Sequence, residues 1–186
     1  MTSDAALARR SRLHDSIRER TVLQNQVLLG SIVLLGSLVI LALAQVHSMD
    51  AFVLGLGVVF AVTGAAIVVP WNRFPPALTA VIPAVDILAI AILRYSSPDS
   101  GLGLLWAFPA MWIAYMYGVI GTVLSVVGIS ALFWVLLAIS PSDELTATTV
   151  LLPISVSAVA TIAYLAARRS SAQRELLDKQ SRNLER

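Results

Sequence analysis

Six apolar stretches of about 15–22 residues, parted by short polar breaks, take up roughly three-fifths of the 186-residue chain, and nearly every cation lies at its two ends. A hydrocarbon core about 30 Å thick needs about 20 apolar residues per crossing helix. The pattern therefore predicts an all-α, polytopic membrane protein with six transmembrane helices. The stretches cover residues 23–44, 51–69, 77–93, 102–116, 119–139 and 147–167, which leaves an amino-terminal arm (1–21) and a carboxy-terminal tail (168–186) outside the bundle (22–167). With 58% hydrophobic residues, 13% charged residues and a mean hydropathy of +0.82, the chain is too apolar for a soluble domain, where about 25% charge is usual. One bundle fills this length and leaves no room for a folded catalytic domain.

The boundary between the fourth and fifth stretches carries no charge and rests on Gly118 and Gly121. A broken or re-entrant arrangement there is the alternative to two full crossings. Elsewhere the breaks are turn chemistry: Pro70 to Pro76 with one cation, Arg94 to Gly101, and the acidic run Ser140 to Glu144.

Charge sets the expected orientation. Arg9, Arg10, Arg12, Arg18 and Arg20 precede the first stretch, and six more cations from Arg168 to Arg186 follow the last. An even number of crossings puts both ends on one face, together with the Arg73 turn, so twelve of the thirteen cations share a side. The other face holds Arg94 beside Asp50, Asp99, Asp143 and Glu144. By the positive-inside rule both termini are cytoplasmic in a multi-pass plasma-membrane protein. The arm is read as a basic amphipathic helix, either along the inner leaflet or simply as a solvated cationic flank. Membrane topology already accounts for the basic ends, so no nucleic-acid partner is inferred.

Several chemistries are excluded. The chain has no cysteine, which removes disulfides, thiolate metal sites and cysteine nucleophiles. His14 and His47 are its only histidines and both lie outside the apolar stretches, so a bis-histidine haem has no ligands there. No glycine-rich phosphate loop and no serine–histidine or serine–lysine pairing is present. No cofactor, metal or catalytic residue is expected.

Within the stretches, Asp86 is the one acidic residue. A charge in hydrocarbon costs about 2.5–3.5 kcal/mol on insertion scales, so such residues face the bundle interior or water. Asp86 is read either as a contact for a proton, cation or ligand, or as a hydrogen-bonding link between helices. Pro83, Pro109 and Pro153 interrupt the third, fourth and sixth stretches, and as mid-helix prolines they open a backbone bond and kink the helix. With Asp86, Trp112 and Tyr115 they form the candidate polar or ligand site; Trp106, Tyr117 and Trp134 are further candidates for lining an apolar cavity. The small-residue stripes Gly57–Ala61–Ala65 and Gly121–Ser125 are expected to pack helices closely.

After Ala167 the chain reads ARRSSAQRELLDKQSRNLER, with no Gly or Pro to stop the sixth helix. Ser170, Gln173, Leu177, Gln180 and Leu184 follow a three-four spacing, the seam of a coiled coil, although only Leu177 and Leu184 are apolar. A frayed cationic flank and the start of a parallel dimeric helix are the two readings. The abrupt end at Arg186 suggests a longer protein.

Six short-looped stretches, an acidic outer face and this tail together resemble the amino-terminal membrane module of actinobacterial sensor histidine kinases. The resemblance implies a sensory input domain, homodimeric through the tail helix, that responds to a small-molecule or membrane-borne stimulus. It also implies that a PAS and kinase output follows the tail, because none of the kinase motifs lies in these residues. The alternatives are a small proton-coupled transporter or channel-like bundle using Asp86, and a non-catalytic membrane scaffold.

Overall fold

The computed structural model describes residues 2–98, 100–139 and 147–184; Asp99, Asp143 and Glu144 lie outside them, as do the side chains of residues 2–18, 72, 76, 147–150, 171, 172 and 174–184. Among the described residues the chain is helical, with no strand. It forms α1 (Thr2–Ala42), α2 (Met49–Val68), α3 (Val81–Ser96), α4 (Ala107–Ile139) and α5 (Ala147–Leu184), with 3-10 turns at Trp71–Arg73, Pro76–Ala80 and Leu102–Trp106. Five segments are long and apolar enough to cross a membrane: Glu19–Ala42, Met49–Val68, Ala77–Ser96, Leu102–Ile139 and Leu151–Ser170. The chain divides into two compact units, Met1–Leu105 and Trp106–Arg186.

In the first unit α2 packs against both α1 and α3. The loop after α1 is pinned to the end of α3: the His47 N–H donates to the Ser96 carbonyl at 2.8 Å and Ser97 Oγ to the Gln45 carbonyl at 2.9 Å. At the other end of the unit α1 meets the Trp71–Arg73 turn. α1 and α3 therefore run in the same direction, with α2 antiparallel to them. α1 ends on a Schellman motif: the Gln45 N–H reaches the Ile40 carbonyl and the Ala44 N–H reaches Leu41, both at 3.1 Å. This needs the left-handed conformation at Ala44 (φ 53°), a position usually given to glycine. Ser48 caps α2, accepting from the Ala51 N–H.

The first unit is inside-out relative to a water-soluble fold. The buried seam of α1 is Val22, Gln26, Leu29, Val33, Ser37 and Ile40, two of them polar, whereas Leu35, Leu38 and Val39 are more than half exposed. α2 and α3 are likewise greasy on the outside, with Val53, Leu54, Ile67, Val68 and Leu88 exposed. Apolar surface of this extent is what lipid covers and water does not.

Gly55 is the point of closest approach between α2 and α3: a β-carbon there would lie 2.7 Å from Leu93 Cγ. The expected Gly57–Ala61–Ala65 stripe does not pack within the chain; Gly57 has nothing within 4 Å of such a β-carbon, and Ala61 and Ala65 are exposed. The face buried instead is Phe52, Gly55, Val59 and Ala66.

In the second unit α4 packs along α5. α4 is broken at Gly118, whose φ of 63° and ψ of −141° belong to neither an α-helix nor the normal range of an L-residue. The break is a sharp bend. In a straight helix residues 113 and 121 would stand about 12 Å apart, yet a β-carbon on Gly121 would meet the Ile113 carbonyl oxygen at 2.6 Å. The first turn after the bend thus presses on the last turns before it. On the second limb Gly121, Ser125, Ile129 and Phe133 are buried one turn apart, and on α5 Leu152, Val156 and Ala160 keep the same spacing. α5 continues without a break from the apolar stretch through Arg168 and Arg169 to Leu184.

Candidate functional site

A glutamine on α1 and the aspartate of α3 meet in the core of the first unit. Gln26 Nε2 donates to Asp86 Oδ1 at 2.9 Å, and both residues are completely buried (0% exposed). The helices place them by simple periodicity. On α1, Gln26 shares its stripe with Val22, Leu29 and Val33; on α3, Asp86 shares its stripe with Ile82, Pro83, Ala89, Ile90 and Leu93.

The pair is only half satisfied. Gln26 Oε1 and Asp86 Oδ2 are buried without a partner, and so are the hydroxyls of Thr79, seven residues before Asp86, and Ser37, eleven residues after Gln26. A buried polar atom lacking its bond costs about 1–3 kcal/mol, so the pair carries an uncompensated cost on both of its members. Among the described residues no group of three or more acidic or histidine side chains comes together to hold a metal.

Hydropathy singles out Asp86 but not Gln26, which with Gln24 and Asn25 looks like the polar, interfacial start of the first apolar stretch. Gln24 is indeed exposed and Asn25 part-exposed. The available signal was phase: Gln26 stands three, seven and fourteen residues before Leu29, Val33 and Ile40, on the face that turns inward.

The remaining candidates are distributed differently from the expectation. Pro83 is buried beside Asp86 in the first unit, but it is the third residue of α3. Pro109 is likewise the third residue of α4. Each follows a five-residue 3-10 turn that contains its i−4 residue, Thr79 or Leu105. A proline in the first helical turn sacrifices no intrahelical bond, so these two mark the passage from 3-10 to α geometry and not a mid-helix kink. Pro153 alone is a true helix-interior proline, with its carbonyl accepting from Ser157 Oγ at 2.7 Å.

Pro109, Trp112, Tyr115 and Pro153 belong to the second unit. Trp112 is buried and donates from Nε1 to Met116 Sδ at 3.0 Å, whereas Tyr115 is 51% exposed and Trp134 56%. Trp112 and Tyr115 thus do not line one cavity: three residues apart on a helix, one points in and the other out. Trp106 is fully buried. Of the tail seam, Gln173 is exposed; the side chains of Leu177, Gln180 and Leu184 lie outside the described residues, on a backbone that is helical throughout.

Compared with known proteins, the chain matches no family model, no curated protein and no solved structure.

Proposed function

We propose that this chain is a six-crossing sensory input module of the plasma membrane, with both termini in the cytoplasm, that sets the state of a cytoplasmic output through α5. The single observation that carries the reading is the continuity of α5. One helix of 38 residues, Ala147–Leu184, joins the apolar stretch to the polar tail. At 1.5 Å per residue it is about 57 Å long, nearly twice the hydrocarbon thickness, so any rotation, tilt or shift of its membrane half is delivered to the tail.

The sixth crossing comes from the bend at Gly118. Leu102–Trp106 and the helix up to the bend measure about 26 Å, and residues 119–139 about 31 Å. Each limb suits one passage. The directions within the first unit also agree with the proposed sidedness, because the Trp71–Arg73 turn and the amino-terminal half of α1 share one end. Parallel dimerisation through the tail and an output of the PAS and histidine-kinase type follow from the resemblance of the sequence; catalysis would belong to that output and not to this bundle.

The test is insertional. One to four residues added after Arg169, with the native output attached, are expected to change output activity with a helical period. Indifference to every insertion defeats the coupling.

A second reading, proton-coupled transport, is favoured by the buried Gln26–Asp86 pair. Proton flux in vesicles that is abolished by Asp86→Asn supports it. The absence of flux from the native protein rejects it.

A further inference from the structure

The two orphan oxygens of the buried pair have a common remedy. An amide and a carboxylic acid placed edge to edge can make two bonds at once: the amide N–H to one acid oxygen, and the acid O–H to the amide oxygen. Here the first bond is present, Gln26 Nε2 to Asp86 Oδ1 at 2.9 Å. The atoms left without partners are those the second bond needs, Asp86 Oδ2 and Gln26 Oε1. One proton satisfies both. Without it, both oxygens stay buried and unpartnered.

We infer that Gln26 and Asp86 form a proton-binding site, in which a proton on Asp86 Oδ2 is donated to Gln26 Oε1 and closes a two-bond ring that latches α1 to α3. Release breaks the O–H bond and leaves its electron pair on Oδ2, while the proton passes to water. The ring then becomes a single bond opposed by an unpaired buried charge, and the link between α1 and α3 loosens.

Among the described residues no other ionisable group bonds Asp86 Oδ2 or Gln26 Oε1. On α1 the nearest are Glu19 and Arg20, six or more residues before Gln26, with His47 beyond the far end of the helix. α2 brings only Asp50, which is exposed at its first turn; the Trp71–Arg73 turn packed against α1 brings Arg73, which is exposed; the Pro76–Ala80 segment brings none; α3 itself adds Arg94 and Tyr95, two turns further on. The competing occupant is a water molecule donating to both orphans beside an ionised Asp86. It satisfies the same atoms and differs in where the proton is.

The inference rests on the membrane-bundle reading but not on signalling, so its test carries no output readout. Full-length protein in lipid nanodiscs is titrated from acid to alkaline conditions by difference infrared spectroscopy, with amide exchange of α1 followed in parallel. The native protein is expected to show a hydrogen-bonded carboxylic-acid C=O band at neutral pH that is absent from Asp86→Asn. That band should shift to higher frequency in Gln26→Met, which keeps the volume and removes the partner. On alkaline titration the band should disappear as exchange in α1 rises several-fold. Asp86→Asn, whose amide can close the same ring without a titrating proton, should keep α1 protected throughout.

A native protein without an acid band at neutral pH would overturn the site and point to the ionised, water-bridged pair. So would a band indifferent to Gln26→Met. Should Gln26→Met not fold, the pair of native protein and Asp86→Asn still decides: equal α1 protection of the two across the titration rejects the latch.

Discussion

Both units satisfy hydroxyls within single helices, as Ser96 does on the Leu93 carbonyl in the first, but among the described residues only the first also buries polar groups that reach between helices or go unpartnered. In the second, the buried Ser125 and the half-buried Thr122 and Ser157 bond within their own helix: Ser125 Oγ donates to the Thr122 carbonyl at 3.0 Å, Thr122 Oγ1 to Gly118 at 2.9 Å and Ser157 Oγ to Pro153 at 2.7 Å. In the first, Gln26 reaches Asp86 across sixty positions of sequence, and four buried oxygens on Gln26, Ser37, Thr79 and Asp86 go without a partner. Local satisfaction makes a helix indifferent to its neighbours. Unmet demand between helices makes their packing conditional on something supplied. Under the proposed function, the responsive chemistry belongs to α1 and α3 and a largely mechanical role to α4 and α5.

Several substitutions sharpen or break that contrast. The largest effect is expected in the mechanical unit. Gly118→Val forces a β-branched residue into a conformation open essentially to glycine alone and should cost about 3 kcal/mol, read as lowered unfolding free energy in detergent. Tolerance without loss would mean that the bend does not depend on glycine.

Next come the orphan hydroxyls, for which the two units should give opposite signs. Thr79→Val and Ser37→Ala delete unpartnered oxygens and should each raise stability by about 1 kcal/mol, whereas Ser125→Ala removes a satisfied bond and should lower it by about 0.5–1 kcal/mol. Thermal midpoints of the three variants side by side decide this, and a shared sign would remove the distinction. Ala44→Gly relieves the left-handed strain at the end of α1 and should stabilise by about 1 kcal/mol, measured the same way. The smallest effect is at the half-exposed Tyr115, where Tyr115→Phe should stay within about 0.5 kcal/mol and leave tryptophan fluorescence unchanged.

Much of the architecture was legible in the sequence because it is written in hydropathy. Apolar runs that form no core in water still form helices, and the runs at 23–44, 51–69 and 77–93 coincide with the apolar part of α1 (Glu19–Ala42), α2 and α3 to within a few residues. Gly118 marked a boundary because two closely spaced glycines interrupt an otherwise featureless run. What hydropathy cannot report is which side of a helix turns inward when lipid lies outside. In water the greasy face is buried; here leucines and valines surround every helix, and the inward face of α1 is distinguished by Gln26 and Ser37. The same blindness placed the Gly57–Ala61–Ala65 stripe inside, while Gly55, half a turn away, makes the close contact with Leu93. Pro83 and Pro109 were read as kinks because the 3-10 turns before them are as apolar as the helices they introduce.

α1 is a single helix of 41 residues, Thr2–Ala42, with no interruption between its amino-terminal arm and its membrane stretch. The link to Asp86 divides it unequally, about 24 Å from Gln26 to the end tethered near Ser96 and about 36 Å from Gln26 to Thr2. A rod hinged at that point is a lever whose longer arm is the basic one. While the link at Gln26 holds, a displacement of the tethered end too small to reshape the greasy interior sweeps the arginine-bearing end through a distance half as great again; letting go there frees the fulcrum itself.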